Sequence, residues 1–321
     1  MKKRLLQCVS LLLCAALLTL PALAAESESA PAANQGPVRV WGTLTWLEDG
    51  GMLVQNSNEN DPLHEVILHG ESILCLDAVT GEPMDIDTIK NGDMIYAWIG
   101  PAVTASLPPQ ATAFLILANI PADYAVPMYY EIVSVTAQSA AGEEGKSSVA
   151  WTEVLTSEGK SLKITDEAKL TAHESEETPG LEDLIPGTRM LVWTGMDGKV
   201  IKVLVFPYDY AGYLSWEEDG TVSLNGKTLA VKAKLADGET LLPVRAVAEA
   251  MGLDVQWVSG KGAVVEQEEK TVLTALPGGS ISGWDNAGVR FTVEGTCVLE
   301  KGTTYISSDA LLELLDLFAA R

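Results

Sequence analysis

The chain has 321 residues, 47% of them apolar, which is long enough for roughly two or three domains with cores of their own and too apolar for a disordered chain. Its 44 acidic residues against 21 basic ones give a formal charge of −23. That charge repels nucleic-acid backbones and anionic lipid surfaces, and favours solubility and weak binding of divalent cations on a solvated acidic surface.

Residues 1–24 read as a secretory leader. Lys2, Lys3 and Arg4 give a positive start, residues 5–20 an apolar run, and Ala22, Leu23 and Ala24 a small-residue cleavage site. The run is short for a membrane span, and no later segment is long and apolar enough to be one. An exported protein with no transmembrane segment in its mature form is expected, either free or held at the cell wall. The leader carries three positive charges and no acids, so its removal leaves −26. Cys8 and Cys14 leave with it. Cys75 and Cys297 remain, too few for a disulfide scaffold. They read as buried apolar side chains, with a bridge between them left open. Residues 25–37, AESESAPAANQGP, read as a flexible linker.

An internal repeat follows. Residues 67–100 align without a gap on residues 162–195. Ile86 matches Leu181, Ile89 matches Leu184, Gly92 matches Gly187 and Trp98 matches Trp193. The connector PADYA at 121–125 matches PYDYA at 207–211. Two copies of one module are expected, over 38–126 and 127–211. Each holds about five or six short runs of β-branched, aromatic and aliphatic residues, broken by Gly, Asn, Asp and Pro. That pattern predicts a small antiparallel β-barrel or sandwich of the OB or SH3-like kind. The opening GTLTWLEDG at 42–50 is echoed by GYLSWEEDG at 212–220.

From residue 212 to 321 the pattern becomes α+β. Asn225-Gly226 predicts a hairpin turn. Pro243 suits the first helical position. Val244, Val247, Ala248 and Met251 then share one helical face. Arg245 and Glu249, four apart, are placed to pair for about 0.2–0.5 kcal/mol. Gly252 suits the left-handed residue after the helix, and DVQWV, with Trp257, reads as a half-buried strand. Residues 302–316 repeat 238–252 more weakly, with Gly302, Thr304, Ala310 and Glu313 for Gly238, Thr240, Ala246 and Glu249. Ser307 or Ser308 is placed to cap that second helix.

The stretch LNGKTL…LLPVRAVAEAMGLDVQW…TYISSDALLELL resembles the copper amine oxidase N-terminal-like domain, also called the stalk domain, over about 221–321. The resemblance departs at Ser307, Ser308 and Asp309, where the family commonly repeats Pro and Arg. It implies a small antiparallel sheet wrapped around a helix. In the oxidases this is an appendage, and copper and the tyrosine-derived quinone sit in another domain. Similar domains occur in exported proteins of Gram-positive bacteria beside unrelated partners, so the resemblance does not imply a copper enzyme.

No constellation for chemistry stands out. His64, His69 and His173 are the three histidines, and a three-imidazole copper site would have to span both modules. A quinone tripeptide, a G-x-S-x-G elbow and a phosphate-binding glycine loop are absent from the sequence. Asp85, Asp87, Asn91 and Asp93 form an acidic loop, but the second copy keeps only Glu182 and Asp183, and residues 56–62 lack the glycine and distal glutamate of an EF-hand. No catalytic, cofactor or metal residue is assigned. Trp98 and Trp193 read as core, whereas Trp46 and Trp216, each before an acidic turn, are candidates for stacking on a ligand. Asn225, Gly226, Pro243, Arg245, Glu249, Gly252 and Trp257 read as structural. The expected function is non-enzymatic: an exported surface or envelope protein that binds or spaces, with a cell-wall polymer, a glycan or another exported protein as partner. The rivals are an exported hydrolase or amine oxidase relative, and a regulator or inhibitor of another exported protein.

Overall fold

The computed structural model describes residues 37–320 apart from residues 71, 142–147, 176, 237 and 286. The expected leader, and the linker up to residue 36, lie outside the described residues. Six strands form the first sheet: β1 (Val38–Trp46), β2 (Met52–Gln55), β3 (Glu65–His69), β4 (Leu74–Asp77), β5 (Met94–Val103) and β6 (Gln110–Ala118). Their order is β3-β2-β1-β5-β6-β4, and β6 also pairs with β3. β1 shows why the chain is extended here: Val40 and Leu44 turn into the core while Arg39, Thr43 and Thr45 face water, a period of two. The ring β3-β2-β1-β5-β6 has five members, so antiparallel pairing alone cannot close it. The closing ladder, Ile67 to Gln110 through His69 to Thr112, is parallel, and β4 adds a second parallel ladder to the far half of β6. The barrel is therefore mixed rather than purely antiparallel.

The second sheet has β7 (Met128–Ala141), β8 (Ser148–Thr156), β9 (Ser161–Thr165), β10 (Lys169–Ala172), β11 (Arg189–Thr194) and β12 (Val200–Val205). Its order, β10-β12-β11-β7-β8-β9, is that of the first sheet strand for strand. The likeness reaches single hydrogen bonds. Each copy has a short 3-10 turn (Ile86–Thr88, Leu181–Asp183), then a buried aliphatic residue (Ile89, Leu184), then a glycine at φ +92° or +89°. Gly92 N–H donates to Leu44 O, and Gly187 N–H to Ile132 O, each at 2.8 Å. The positive φ is what these two glycines supply.

The copies meet face to face. Leu76, Ala78, Trp98, Leu115 and Leu117 of the first pack with Tyr129, Leu191, Trp193, Leu204 and Phe206 of the second in one buried cluster. Trp98 is 0% and Trp193 4% exposed, so the matched tryptophans are buried, in the interface between the modules. The connector after β12 is fastened back onto the second module. Arg189 donates to Pro207 O at 3.0 Å and pairs with Asp209 at 2.5 Å, Tyr208 Oη donates to Pro186 O at 2.8 Å, and Tyr210 Oη donates to Glu131 Oε1 at 3.3 Å.

The remaining strands are β13 (Gly212–Trp216), β14 (Val222–Leu224), β15 (Lys227–Thr228), β16 (Lys234–Ala236), β17 (Glu239–Pro243), β18 (Asp254–Val258), β19 (Gly262–Gln267), β20 (Lys270–Ala275), β21 (Ile281–Trp284), β22 (Arg290–Val293), β23 (Cys297–Glu300), β24 (Thr303–Ser307) and β25 (Leu317–Ala319). Helix α1 (Val244–Ala250) follows β17, and α2 (Ser308–Leu315) follows β24. They build three sheets, β15-β14-β13-β25, β16-β17-β24-β23 and β18 through β22 in order. The two β-α halves are related about the β17–β24 pair, where Leu242 lies opposite its own counterpart Ile306. Both helices bury aliphatic faces in one core: Val244, Val247 and Ala248 from α1, and Ala310, Leu311 and Leu315 from α2. The molecule is thus mainly β, with a sheet-plus-helix C-terminal region.

Three local details differ from expectation or sharpen it. Asn225 (φ 47°) and Gly226 (φ 75°) form the tight turn between β14 and β15. Pro243 caps α1 instead of opening it: its φ of −78° suits helix and strand alike, and its ψ of 106° keeps it extended opposite Tyr305. Ser307 precedes α2 but makes no side-chain cap, because its Oγ accepts from Thr296 N–H at 2.6 Å. At the far end, β25 runs parallel to β13, from Gly212 opposite Leu317 to Leu214 opposite Ala319. Ala211 N–H to Asp316 O (2.7 Å) and Ala320 N–H to Leu214 O (2.8 Å) extend that ladder.

Candidate functional site: a groove beside the first helix

Helix α1 and strand β18 are joined by a tight turn. Gly252 takes φ +81°, which sends the chain back along the helix into β18. Val255 and Trp257 lie opposite Val265 and Ala263, so they project from the core-facing side of the sheet. β18 is the edge strand of that sheet, and α1 does not cover its full length. Trp257 therefore overhangs the core and stays 52% exposed, and it is the one exposed tryptophan among the described residues.

The space beneath it is a groove of about 490 Å³. Leu229, Val231, Ala246, Ala263 and Leu299 give it apolar walls, and Arg245, Glu249, Gln256, Thr303 and Thr304 supply polar groups. One concave, mainly apolar surface with a few convergent polar groups is the anatomy of a small-ligand site. Arg245 is fixed twice: it donates to Glu249 Oε1 at 2.9 Å and to Val255 O at 2.8 Å. It thus pairs within the helix and also ties the helix to the edge strand by filling one of that edge's carbonyls. Both partners of the ion pair are about half exposed, so the pair itself contributes little. Its use is to hold the polar side of the groove in place.

The other residues singled out in the sequence are distributed over the molecule. Trp46 is half-buried: its indole donates to Ile89 O at 2.8 Å, and it lines a shallow cleft with Asp49, His69 and Asp87. Trp216 packs half-buried against the C-terminal core, opposite Val222. In the acidic loop, Asp85, Asn91 and Asp93 spend oxygens on backbone N–H groups of Asp87, Trp46 and Lys90. His64 Nδ1 lies 2.8 Å from Asp61 O, in the turn before β3, and His69 ends β3. His173 is in the second module, 8% exposed, with its ring edge-on to Phe206. Among the described residues no cluster of three or more His, Cys, Asp or Glu side chains is arranged to hold a metal. Cys75 and Cys297 are free and buried in separate cores, and burial pushes both thiols up to about 11.

The exposure of Trp257 was not visible in the sequence. DVQWV has the alternation of an ordinary half-buried strand, and only the pairing of the whole sheet makes β18 its edge.

Residues 223–318 match the family model described as the copper amine oxidase N-terminal domain, under a third of the chain. No curated protein and no solved structure matches the chain.

Proposed function

We propose that this is an exported, non-enzymatic envelope protein that binds a cell-wall glycan, with the groove under Trp257 as the ligand site and the β modules as its spacer. The observation that carries the proposal is the half-exposed indole of Trp257 on the wall of a groove of about 490 Å³. An indole held on a strand but left in water presents a flat apolar face for a sugar ring to lie on, and Arg245, Gln256, Thr303 and Thr304 stand near enough to the groove to serve the ring's hydroxyls. The matched domain is an appendage to the catalytic machinery in the oxidases, which supports a binding rather than a catalytic role. Export rests on the leader-like residues 1–24.

The test is binding of residues 25–321 to isolated Gram-positive cell walls, with and without their anionic polymers and with and without calcium. Saturable binding that survives moderate salt is expected, weakened about tenfold or more in Trp257→Ala, the loss of one buried aromatic contact. Absence of binding, or full binding by the variant, overturns the assignment.

A further inference from the structure

The two module copies differ sharply at one cross-strand pair. In the first, Leu74 on β4 lies opposite Leu115 on β6, and both pack in the interface between the modules. At the same place in the second, Lys169 on β10 lies opposite Lys202 on β12. The residues that follow on the same face do likewise: buried Leu76 on β4 and Ala78 just after it correspond to Thr171 and His173. A face that is wholly apolar in one copy carries two lysines, a threonine and a histidine in the other. Like charges directly opposite on neighbouring strands are destabilising. In a chain with more than twice as many acids as bases, solubility gives no reason to place two lysines side by side.

These residues line a cleft of about 640 Å³ between the modules, whose opposite wall is the turn at Thr80, Gly81, Glu82 and Pro83. Lys202 is half-buried: its ammonium donates to Thr80 O and lies 4.3 Å from the centre of the Trp193 ring. Of its three N–H groups that leaves two for another acceptor. Burial, and then the neighbouring Lys169, hold the Lys202 pKa below the usual lysine range against Glu82 and Asp77. Glu82 and Glu174 also line the cleft and are exposed, and Glu174 is 3.5 Å from His173 Nε2. Two hydroxyls complete the lining. Ser175 Oγ accepts the Glu177 N–H and keeps its own proton for another partner, whereas Thr80 Oγ1 accepts the Glu82 N–H and its hydroxyl also bonds the Asp77 carboxylate.

We propose that Lys169 and Lys202, with the hydroxyl of Ser175, form a binding site for a phosphate dianion, free or as the terminal monoester of a small molecule. A dianion with three or more oxygens can accept from both ammonium groups at once and carries twice the charge of a carboxylate, so it competes better with the carboxylates already in the cleft. The acidity of the rest of the molecule selects for size. A polyanion would run along that surface well beyond the roughly 8 Å over which salt screens at physiological ionic strength, but a single terminal phosphate would be enclosed by the cleft. The site is separate from the groove under Trp257, so neither proposal depends on the other.

The experiment is calorimetric titration of residues 25–321 with inorganic phosphate and, separately, with glycerol phosphate, at about pH 8 where both are dianions. Saturable binding of at least one is expected, weakened about tenfold or more in Lys169→Gln through loss of a charge-assisted contact. Tighter binding of glycerol phosphate identifies the ester as the ligand class, and tighter binding of inorganic phosphate identifies the free ion. Lys169 is exposed, so Lys169→Gln keeps the fold. Its melting midpoint without ligand is expected to equal or exceed the parent's, because a like-charge pair has been relieved. Lys202→Gln gives a second reading but also loosens the contact with Thr80. No saturable binding of either probe, or unchanged binding in Lys169→Gln, overturns the proposal.

Discussion

Trp98 and Trp193 occupy the same place in the two copies and differ in the fate of one atom. Trp193 Nε1 donates to Ala78 O across the interface at 2.9 Å, whereas Trp98 Nε1 is buried with no partner among the described residues. Replacing either with Phe removes similar apolar area. Trp193→Phe also leaves the Ala78 carbonyl unmet, whereas Trp98→Phe removes a donor that had no acceptor. Trp193→Phe is therefore expected to cost about 1–3 kcal/mol more than Trp98→Phe, read from urea unfolding midpoints. The repeat alignment was enough to place both indoles in a core. It could not show that this core is shared between the modules, because the acceptor belongs to the other copy, 115 residues away. Gly92 and Gly187 were more legible: a matched glycine just before a matched strand has few purposes other than a positive φ.

At the scale of elements, local chemistry was readable and neighbours were not. The apolar face of α1, the Arg245–Glu249 pair and the turn at Gly252 all follow from spacings within ten residues. The second bond of Arg245, to Val255 O, and the edge position of β18 depend on sheet order, which no local pattern encodes. The same holds for Ser307, whose cap was plausible until Thr296 arrived from the loop before β23. The connector gives a pH test at this scale. Burial holds Glu131 above the usual carboxylate range, against the Tyr210 hydroxyl and Arg189, which act to lower it. A carboxyl whose pKa is raised by folding favours the fold below its unfolded pKa. That contribution is lost as pH rises through the folded value, so at neutral pH the ionised group opposes folding. Glu131→Gln keeps an oxygen for Tyr210 and removes the charge. It is expected to be more stable than the parent at pH 7, with the gap closing as pH falls into the carboxylate range, followed by thermal midpoints across pH.

Across the whole molecule, the duplicated strand order was legible because two matched stretches, 67–100 with 162–195 and 121–125 with 207–211, imply one module present twice. The parallel closure of the first barrel was not, since it follows from the odd number of strands in the ring rather than from any residue. Cys75 and Cys297, the free cysteines among the described residues, make the cooperativity of the assembly measurable. Cys75 lies in the core of the first module and Cys297 in the C-terminal core. Burial and thiol pKa values near 11 keep both from reacting with a thiol reagent at mildly alkaline pH. Both are expected to become reactive only as denaturant unfolds the chain. If the shared Trp98–Trp193 interface and the fastened connector link the parts, the two thiols label over one concentration range. Labelling of one long before the other, read by mass spectrometry of each peptide, would show that the ends unfold independently.

The parallel pairing of β13 with β25 bears on how the C-terminal region withstands force. The connector enters at the start of β13, and the chain leaves at the end of β25. Because the strands run the same way, tension between residues 211 and 320 slides one along the other and strains every bond of the ladder together, including those at Ala211 and Ala320. An antiparallel pair pulled from its adjacent ends would instead open one bond at a time. Tension applied across those two ends thus meets a mechanical clamp where the last strand returns to lie beside the first strand of its own region.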